Sequence, residues 1–201
     1  MTIKRTKHSL SLNYFVGIDI SDHIKEEIYC FIQNNMKQFN PFIQWIGMNE
    51  YHITLAYLGK ITEEQRLRLI AVADQIKVPP LSIGIKGIGF YPPGKKPKSL
   101  WIGVDQGREA MNVFVEYIRS EIINKSGLIP KDFFYPHITI GRVKYDKSPE
   151  MNNLFSFIHK NWDYPFGKFK INSFHLYRIT KNGYQHNHEI KLTKRPYLII
   201  E

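Results

Sequence analysis

Tyr51-His52-Ile53-Thr54-Leu55 and Pro136-His137-Ile138-Thr139-Ile140 are two versions of one pattern, a His-x-Thr tripeptide set in an apolar, β-branched run. In an extended strand side chains alternate between faces, so His52 and Thr54 point one way while Ile53 and Leu55 point the other. His137 and Thr139 stand against Ile138 and Ile140 in the same way. Each strand can therefore bury an aliphatic face and present an imidazole and a hydroxyl to a cleft. Together the two strands offer two acid/base groups and two hydroxyl donors.

In a chain with 8 histidines one such tripeptide says little, but here the surroundings repeat as well. Phe15-Val16-Gly17-Ile18-Asp19 is echoed by Trp101-Ile102-Gly103-Val104-Asp105. Gly17 lies 35 residues before His52, and Gly103 lies 34 before His137. A helix-like stretch follows each glycine-containing strand, and a His-x-Thr strand comes next. The chain reads as an internal duplication about a pseudo-two-fold axis.

With 201 residues, 43% of them hydrophobic and 14% aromatic, the chain is long and apolar enough for one well-buried domain or two small lobes sharing an interface. The lone cysteine, Cys30, excludes an internal disulfide or a thiolate metal cluster and fits a reducing, cytoplasmic setting. Within its helical pattern it reads as an inert core or boundary thiol. A net charge of +10 favours a polyanionic partner such as RNA. No apolar run approaches the roughly 18 residues of a membrane span. The basic residues 1–7 precede only a short apolar stretch that carries Asp19, which reads as a buried strand and not as a secretory signal. A monomer without membrane contact is expected.

Residues 1–12 read as a basic arm, expected to be poorly ordered, and residues 13–195 as a single bilobal domain, because no Gly-, Ser- or Pro-rich linker divides them. The first strand spans 13–20. Ser21 can cap a helix whose apolar stripe is Ile24, Ile28, Phe31 and Ile32. A short strand over 42–46 leads into the first His strand, 50–58, which Gly59 stops. Thr62-Glu63-Glu64-Gln65 is a capping box and predicts a helix over 63–76. A strand over 81–91, an exposed hairpin loop over 92–98 and a strand over 101–104 follow. Met111, Phe114, Val115, Ile118 and Ile122 mark the buried face of a helix over 108–125, and the second His strand spans 135–143. Ser148-Pro149 starts a helix over 151–160. Strands over 166–179 and 184–194 flank an Asn-Gly turn, Thr180-Lys181-Asn182-Gly183.

Two imidazoles across a cleft can work as an acid/base pair near neutrality, because an unperturbed histidine titrates near pH 6.5. One neutral ring takes a proton from water while the other, protonated, gives one to a leaving oxygen. The threonine hydroxyls can donate to non-bridging phosphoryl oxygens as charge develops. A 2',3'-cyclic phosphate suits such a site, since its strained ring needs an attacking water on one side and a protonated alkoxide on the other. No metal or other cofactor is required. Neither a Gly-x-x-x-x-Gly-Lys loop nor a Lys-x-Asp-Gly motif is present, which speaks against an ATP-dependent ligase.

His52-Ile53-Thr54-Leu55-Ala56-Tyr57-Leu58-Gly59 and Pro136-His137-Ile138-Thr139-Ile140-Gly141-Arg142, supported by Trp101-Ile102-Gly103-Val104, resemble the two-histidine phosphoesterase superfamily. Within it the likeness is to bacterial RNA 2',3'-cyclic phosphodiesterases, once named 2'-5' RNA ligases. The resemblance implies an α+β fold of two pseudo-symmetric lobes, each an antiparallel sheet flanked by helices, with the active-site groove between them. It implies an enzyme that hydrolyses RNA 2',3'-cyclic phosphate ends to 2'-phosphomonoesters, with His52 as proton donor and His137 as proton acceptor. Members usually end the second motif in Leu-Ala-Arg where this chain has Ile140-Gly141-Arg142, so Gly141 is expected to leave room beside the phosphate. Two other readings stay open: a phosphodiesterase for 2',5'-linked oligoadenylates or cyclic nucleotide signals, and a non-catalytic RNA-binding module.

Around the catalytic set His52, Thr54, His137 and Thr139, several residues are candidates for binding RNA ends or short oligonucleotides. Arg142 stands five residues past His137, an odd spacing that puts it on the wrong face unless the strand ends or bulges first. Lys95, Lys96 and Lys98 can track a phosphate backbone from the hairpin loop. Tyr14 and Tyr135, with Phe15 and Trp45, are candidate base-stacking platforms. His186 and His188 would share a strand face, but with only Glu189 beside them no metal centre is expected.

Overall fold

The computed structural model describes residues 11–94, 96–144 and 150–193. The described elements run β1 (Leu12–Asp19), α1 (Asp22–Asn35), β2 (Ile43–Trp45), β3 (His52–Ile61), α2 (Glu63–Ala73), β4 (Leu81–Tyr91), β5 (Ser99–Val104), α3 (Arg108–Glu121), β6 (His137–Val143), α4 (Met151–Lys160), β7 (Pro165–Ile171), β8 (Ser173–Thr180) and β9 (Gly183–Lys191). The strands pair antiparallel in the order β7-β4-β5-β6-β3-β1-β8-β9, with β2 added to the far end of β6. The first lobe is β3-β1-β8-β9 and the second is β6-β5-β4-β7 with β2. The lobes join at one described ladder pair, Ile53 opposite Ile138, the central residues of the two His-x-Thr tripeptides.

Local chemistry sets the ends of the elements. Thr62 and Gln65 form the complete capping box, the threonine hydroxyl accepting from the Gln65 N–H at 3.2 Å and the Gln65 Oε1 from the Thr62 N–H at 2.9 Å. Ser21 takes the extended angles of an N-cap without a side-chain capping bond, so it shapes the chain entry only. The helix expected over 63–76 closes at Ala73, and Gln75 and Ile76 continue as turns on the carbonyls of Val72 and Ala73. Gly59 does not stop β3 as expected. At φ 70° it sits inside the strand next to an unpaired Leu58, and β3 runs on to Ile61. The strand expected over 166–179 breaks at Asn172, where the chain leaves β4 for β1: β7 belongs to the second lobe and β8 to the first. The predicted helix start at Ser148-Pro149 lies outside the described residues, as do residues 1–10 of the basic arm.

The helices cross between lobes. α1 follows β1 of the first lobe but packs on the second, with Phe31 4.5 and 5.2 Å from the Tyr164 and Phe166 rings and Ile24 against Gly167 of β7. α3 follows β5 of the second lobe but reaches the first, through Phe114 on Phe174 and through Arg119, which donates to the Leu55 carbonyl at 3.1 Å. Ile53, Ile138, Ile102, Ile140 and Leu55 are all 0% exposed in one core cluster that spans both lobes. Because the described β3–β6 ladder is a single pair, that core and the crossed helices carry the joint. Ile138→Ala should therefore cost about 2–5 kcal/mol, as for other buried Ile-to-Ala truncations. Chemical denaturation checks this, and a loss below about 1 kcal/mol would place the joint elsewhere.

Candidate active site

The antiparallel meeting of Ile53 and Ile138 fixes the site. With both isoleucines turned into the core, His52 and Thr54 on one strand and His137 and Thr139 on the other share the opposite face, each histidine in register with the other strand's threonine and the two histidines diagonal to one another. Both rings are held alike: His52 Nδ1 is 2.8 Å from the Glu50 carbonyl and His137 Nδ1 is 2.7 Å from the Tyr135 carbonyl, each two residues upstream. A carbonyl only accepts, so Nδ1 carries a proton in both rings and Nε2 is the nitrogen left to take or give one. At His52, Nε2 lies 3.0 Å from the Thr54 hydroxyl.

A bulge follows each tripeptide at the same distance. Val16 and Gly17 of β1 face Ala56 and Thr54, leaving Leu55 unpaired, and Leu100 and Trp101 of β5 face Gly141 and Thr139, leaving Ile140 unpaired. Each bulge shifts the face alternation by one. Tyr57 and Arg142, both five residues past a histidine, consequently reach the groove. The groove encloses about 360 Å³ and is lined by Phe15, Glu50, His52, Thr54, Thr139 and Tyr184 besides Tyr57 and Arg142. His137 stands outside that lining, beside Trp101 and Tyr135 at ring distances of 6.4 and 6.0 Å.

Residues 12–192 match the family of AKAP7 2'5' RNA ligase-like domains. The chain belongs to this family. It is similar to an RNA 2',3'-cyclic phosphodiesterase of Aquifex aeolicus (strain VF5), 31% identical over 166 residues that cover 81% of each chain. One of Methanocaldococcus jannaschii is 32% identical over 175 residues, covering 86% of this chain and 95% of that one. Apo LigT of E. coli has the same fold, with a TM-score of 0.71 at 20% identity over 92% of this chain and 99% of that one. TT0787 of Thermus thermophilus gives 0.72 at 19% identity over 92% of this chain and 100% of that one.

The two His-x-Thr strands follow one plan, but the surroundings of the two histidines differ. Counted from the strand pairing, His52 lies opposite Asp19 and Thr54 opposite Gly17, whereas His137 lies opposite Gly103 and Thr139 opposite Trp101. The echo between Phe15-Val16-Gly17-Ile18-Asp19 and Trp101-Ile102-Gly103-Val104-Asp105 is thus offset by two residues in space. His52 is packed by Phe15 and Tyr184, each at 4.8 Å between rings, and by Tyr177 at 6.2 Å. This burial holds its pKa below the ordinary histidine value; the Glu50 carbonyl opposes the shift, a charge on His137 adds to it, and Asp19 opposes it. Asp19 is itself paired with the buried Lys25 at 2.8 Å.

The other sequence candidates separate. Tyr14 is 4% exposed within the core and offers no stacking face; strand alternation puts its neighbour Phe15 on the groove side instead. Phe15 is stacked on Tyr177 at 4.8 Å, and Trp45 is bound to the Asn40 side chain at 2.6 Å and packed on Gly141. Tyr135 keeps an open face at 47% exposure, with the Arg108 guanidinium 5.8 Å from its ring centre. A Cβ on Gly141 would meet Ile43 at 2.8 Å and the Trp45 ring at 3.1 Å, so that glycine makes room for β2 and not for a phosphate. Lys96 and Lys98 are exposed in the β4–β5 turn, where the Lys98 carbonyl accepts from Val143 just beyond Arg142; Lys95 lies outside the described residues. A bulge at Asn187 sends His186 toward His175 at 3.3 Å and His188 toward Asp74 at 2.7 Å, so the two do not share a face. Cys30 is exposed on α1, not buried.

Sequence reading missed Tyr184, Asp19 and Glu50, each of which meets His52 across sequence or through the backbone and carries no motif. An NMR titration should find the His52 midpoint below 6.5 in the free protein. A midpoint at or above that value would mean that the groove is wetter than its packing implies.

Proposed function

We propose that the protein is an RNA 2',3'-cyclic phosphodiesterase that opens cyclic ends to 2'-phosphomonoesters by histidine general acid-base catalysis. The observation that carries this reading is the antiparallel pairing at Ile53 and Ile138, which sets two rings of the same tautomer on one face of the sheet. The relatives named RNA 2',3'-cyclic phosphodiesterase support it, and LigT has been solved in complex with 3'-AMP.

His137 Nε2 takes a proton from water as the water oxygen bonds to phosphorus. The bond from phosphorus to the 3'-oxygen breaks, and the protonated His52 Nε2 gives its proton to that oxygen, leaving the phosphate on the 2'-oxygen. Thr54 and Thr139 donate to the non-bridging oxygens. Arg142 offsets the phosphate charge from the groove wall, while Tyr135 stacks on the base and Lys95, Lys96 and Lys98 follow the RNA backbone. Both proton transfers come from the chain's own side chains, so no metal is needed.

The test is turnover of a substrate panel, cyclic phosphates and 2',5'-linked nucleotides, in the presence of EDTA. The expected result is cleavage of cyclic phosphates to 2'-phosphomonoesters, with His52→Ala and His137→Ala each slower by about 10²-fold or more. A nitrophenyl ester, whose leaving group needs little protonation, should rescue His52→Ala far more than His137→Ala. Equal rescue, or a 3'-phosphate as sole product, would reverse the assignment; cleavage of only the 2',5'-linked members would change the substrate, and no turnover at all would leave a binding module.

The pH dependence follows from the pairing of a buried ring, His52, with a more open one, His137. One must be neutral and the other charged, so the profile is a bell whose limbs belong to the coupled pair. The kcat/KM profile reports the free enzyme, where burial disfavours imidazolium at His52, and kcat reports the complex, where a bound phosphate anion favours it. The kcat bell should therefore lie at higher pH than the kcat/KM bell, and coincident bells would argue that the anion does not sit against the rings.

A further inference from the structure

We propose that Tyr184, carried on the Asn182-Gly183 hairpin turn, is the positioning residue that singles out His52 from its symmetric partner by sharing the proton on His52 Nδ1. The inference rests on the phosphodiesterase reading for its kinetic consequences, but the contact itself does not. Tyr184 Oη lies 2.9 Å from His52 Nδ1, alongside the Glu50 carbonyl at 2.8 Å. Since the carbonyl fixes the proton on Nδ1, the phenol oxygen accepts the second half of that hydrogen bond and its own O–H stays available to the groove that Tyr184 lines. Burial and the neighbouring Tyr177, Glu50 and Asp19 raise the Tyr184 pKa, so it remains a neutral phenol across the working range. Among the described residues no side-chain partner of this kind is recorded at His137, whose Nδ1 has the Tyr135 carbonyl.

The turn is built to hold this contact. Gly183 has φ 110°, and a Cβ there would collide with the Glu50 carboxylate, so the glycine lets the hairpin close down on the residue whose carbonyl also holds His52. Thr180 Oγ1 donates to the Gly183 carbonyl at 3.1 Å and accepts from the Asn182 N–H at 3.3 Å, which pins the turn from within. The Tyr184 ring then packs edge-on against His52, Phe15 and Tyr177 at 4.8, 5.3 and 5.1 Å. An acceptor on Nδ1–H favours the imidazolium form, opposing the burial that disfavours it. The charged and titratable groups facing His52 are Asp19 with its partner Lys25, Glu50, Tyr57, His137, Arg142, Tyr177 and Tyr184 itself.

Tyr184→Phe keeps the ring packing and removes only the hydroxyl. In the free protein the NMR titration midpoint of His52 should fall by about half to one pH unit, the scale of one hydrogen bond to a charged ring, while that of His137 moves far less. On a 2',3'-cyclic phosphate, kcat should fall roughly 5- to 30-fold with KM nearly unchanged, and the kcat bell should shift to lower pH. Gly183→Ala, which keeps the hydroxyl but displaces the turn from Glu50, should lower the His52 midpoint in the same direction. An unmoved His52 midpoint in Tyr184→Phe, or equal movement of His52 and His137, would overturn the proposal. A shifted midpoint in a protein that turns over no cyclic phosphate would leave the contact standing and sink the phosphodiesterase reading instead.

Discussion

The site depends on one backbone constraint, the antiparallel ladder pair between Ile53 and Ile138. Two separate sheets could place histidines anywhere relative to each other. A shared pair at the centre of both tripeptides leaves one arrangement, in which the isoleucines go into the core and the polar residues go to the other face, the two histidines diagonal across the strands. The joint is short because the strands part at once: β6 turns to β5 and, beyond Ile140, to β2, while β3 stays on β1. A longer ladder would close the groove, and its absence would let the histidines drift. What allows so small a joint is the packing beneath it, where α1 and α3 each lie under the lobe opposite to the strand they follow.

The paired bulges at Leu55 and Ile140 do the second part of the work. Strict alternation would put Ala56 and Gly141 next on the groove face and send Tyr57 and Arg142, five residues past the histidines, to the core. With one unpaired residue inserted, both strands return a long side chain to the groove, Tyr57 from one and Arg142 from the other. The symmetry that makes a two-histidine site thus also makes a matched pair of wall positions, filled with chemically different residues. The cationic one lies on the His137 strand, beside the turn that carries Lys96 and Lys98.

Much of this was legible in sequence because it depends on short-range rules. Alternation around His52 and His137, the Thr62-Gln65 capping box and the Asn182-Gly183 turn each follow from residues within a few positions of one another. The bulges, the break at Asn172 and the bend at Asn187 were not legible, since each is a property of two strands in register and leaves the apolar pattern of either one intact. Tyr14 and Phe15 were both candidates for the groove, and only the strand pairing separates them, because no count of apolar residues decides when both neighbours are aromatic. Tyr184 was out of reach for a different reason, because its partner His52 is 132 residues away.

A duplicated site need not hold its two rings in equal settings. Here the strand register makes the settings differ. The positions facing the first tripeptide hold Gly17 and Asp19, and the equivalent positions facing the second hold Trp101 and Gly103. One ring therefore has a carboxylate across from it and an aromatic enclosure around it, and the other has neither the carboxylate nor the enclosure but a single indole and an exposed Tyr135. Burial and carboxylate act on His52 in opposite senses, and burial prevails while the groove is empty. A phosphate anion in the groove would add to the side of the carboxylate, so the two rings would answer to it unequally. The offset of two residues between the halves of the duplication is what puts that carboxylate across from one ring and not the other.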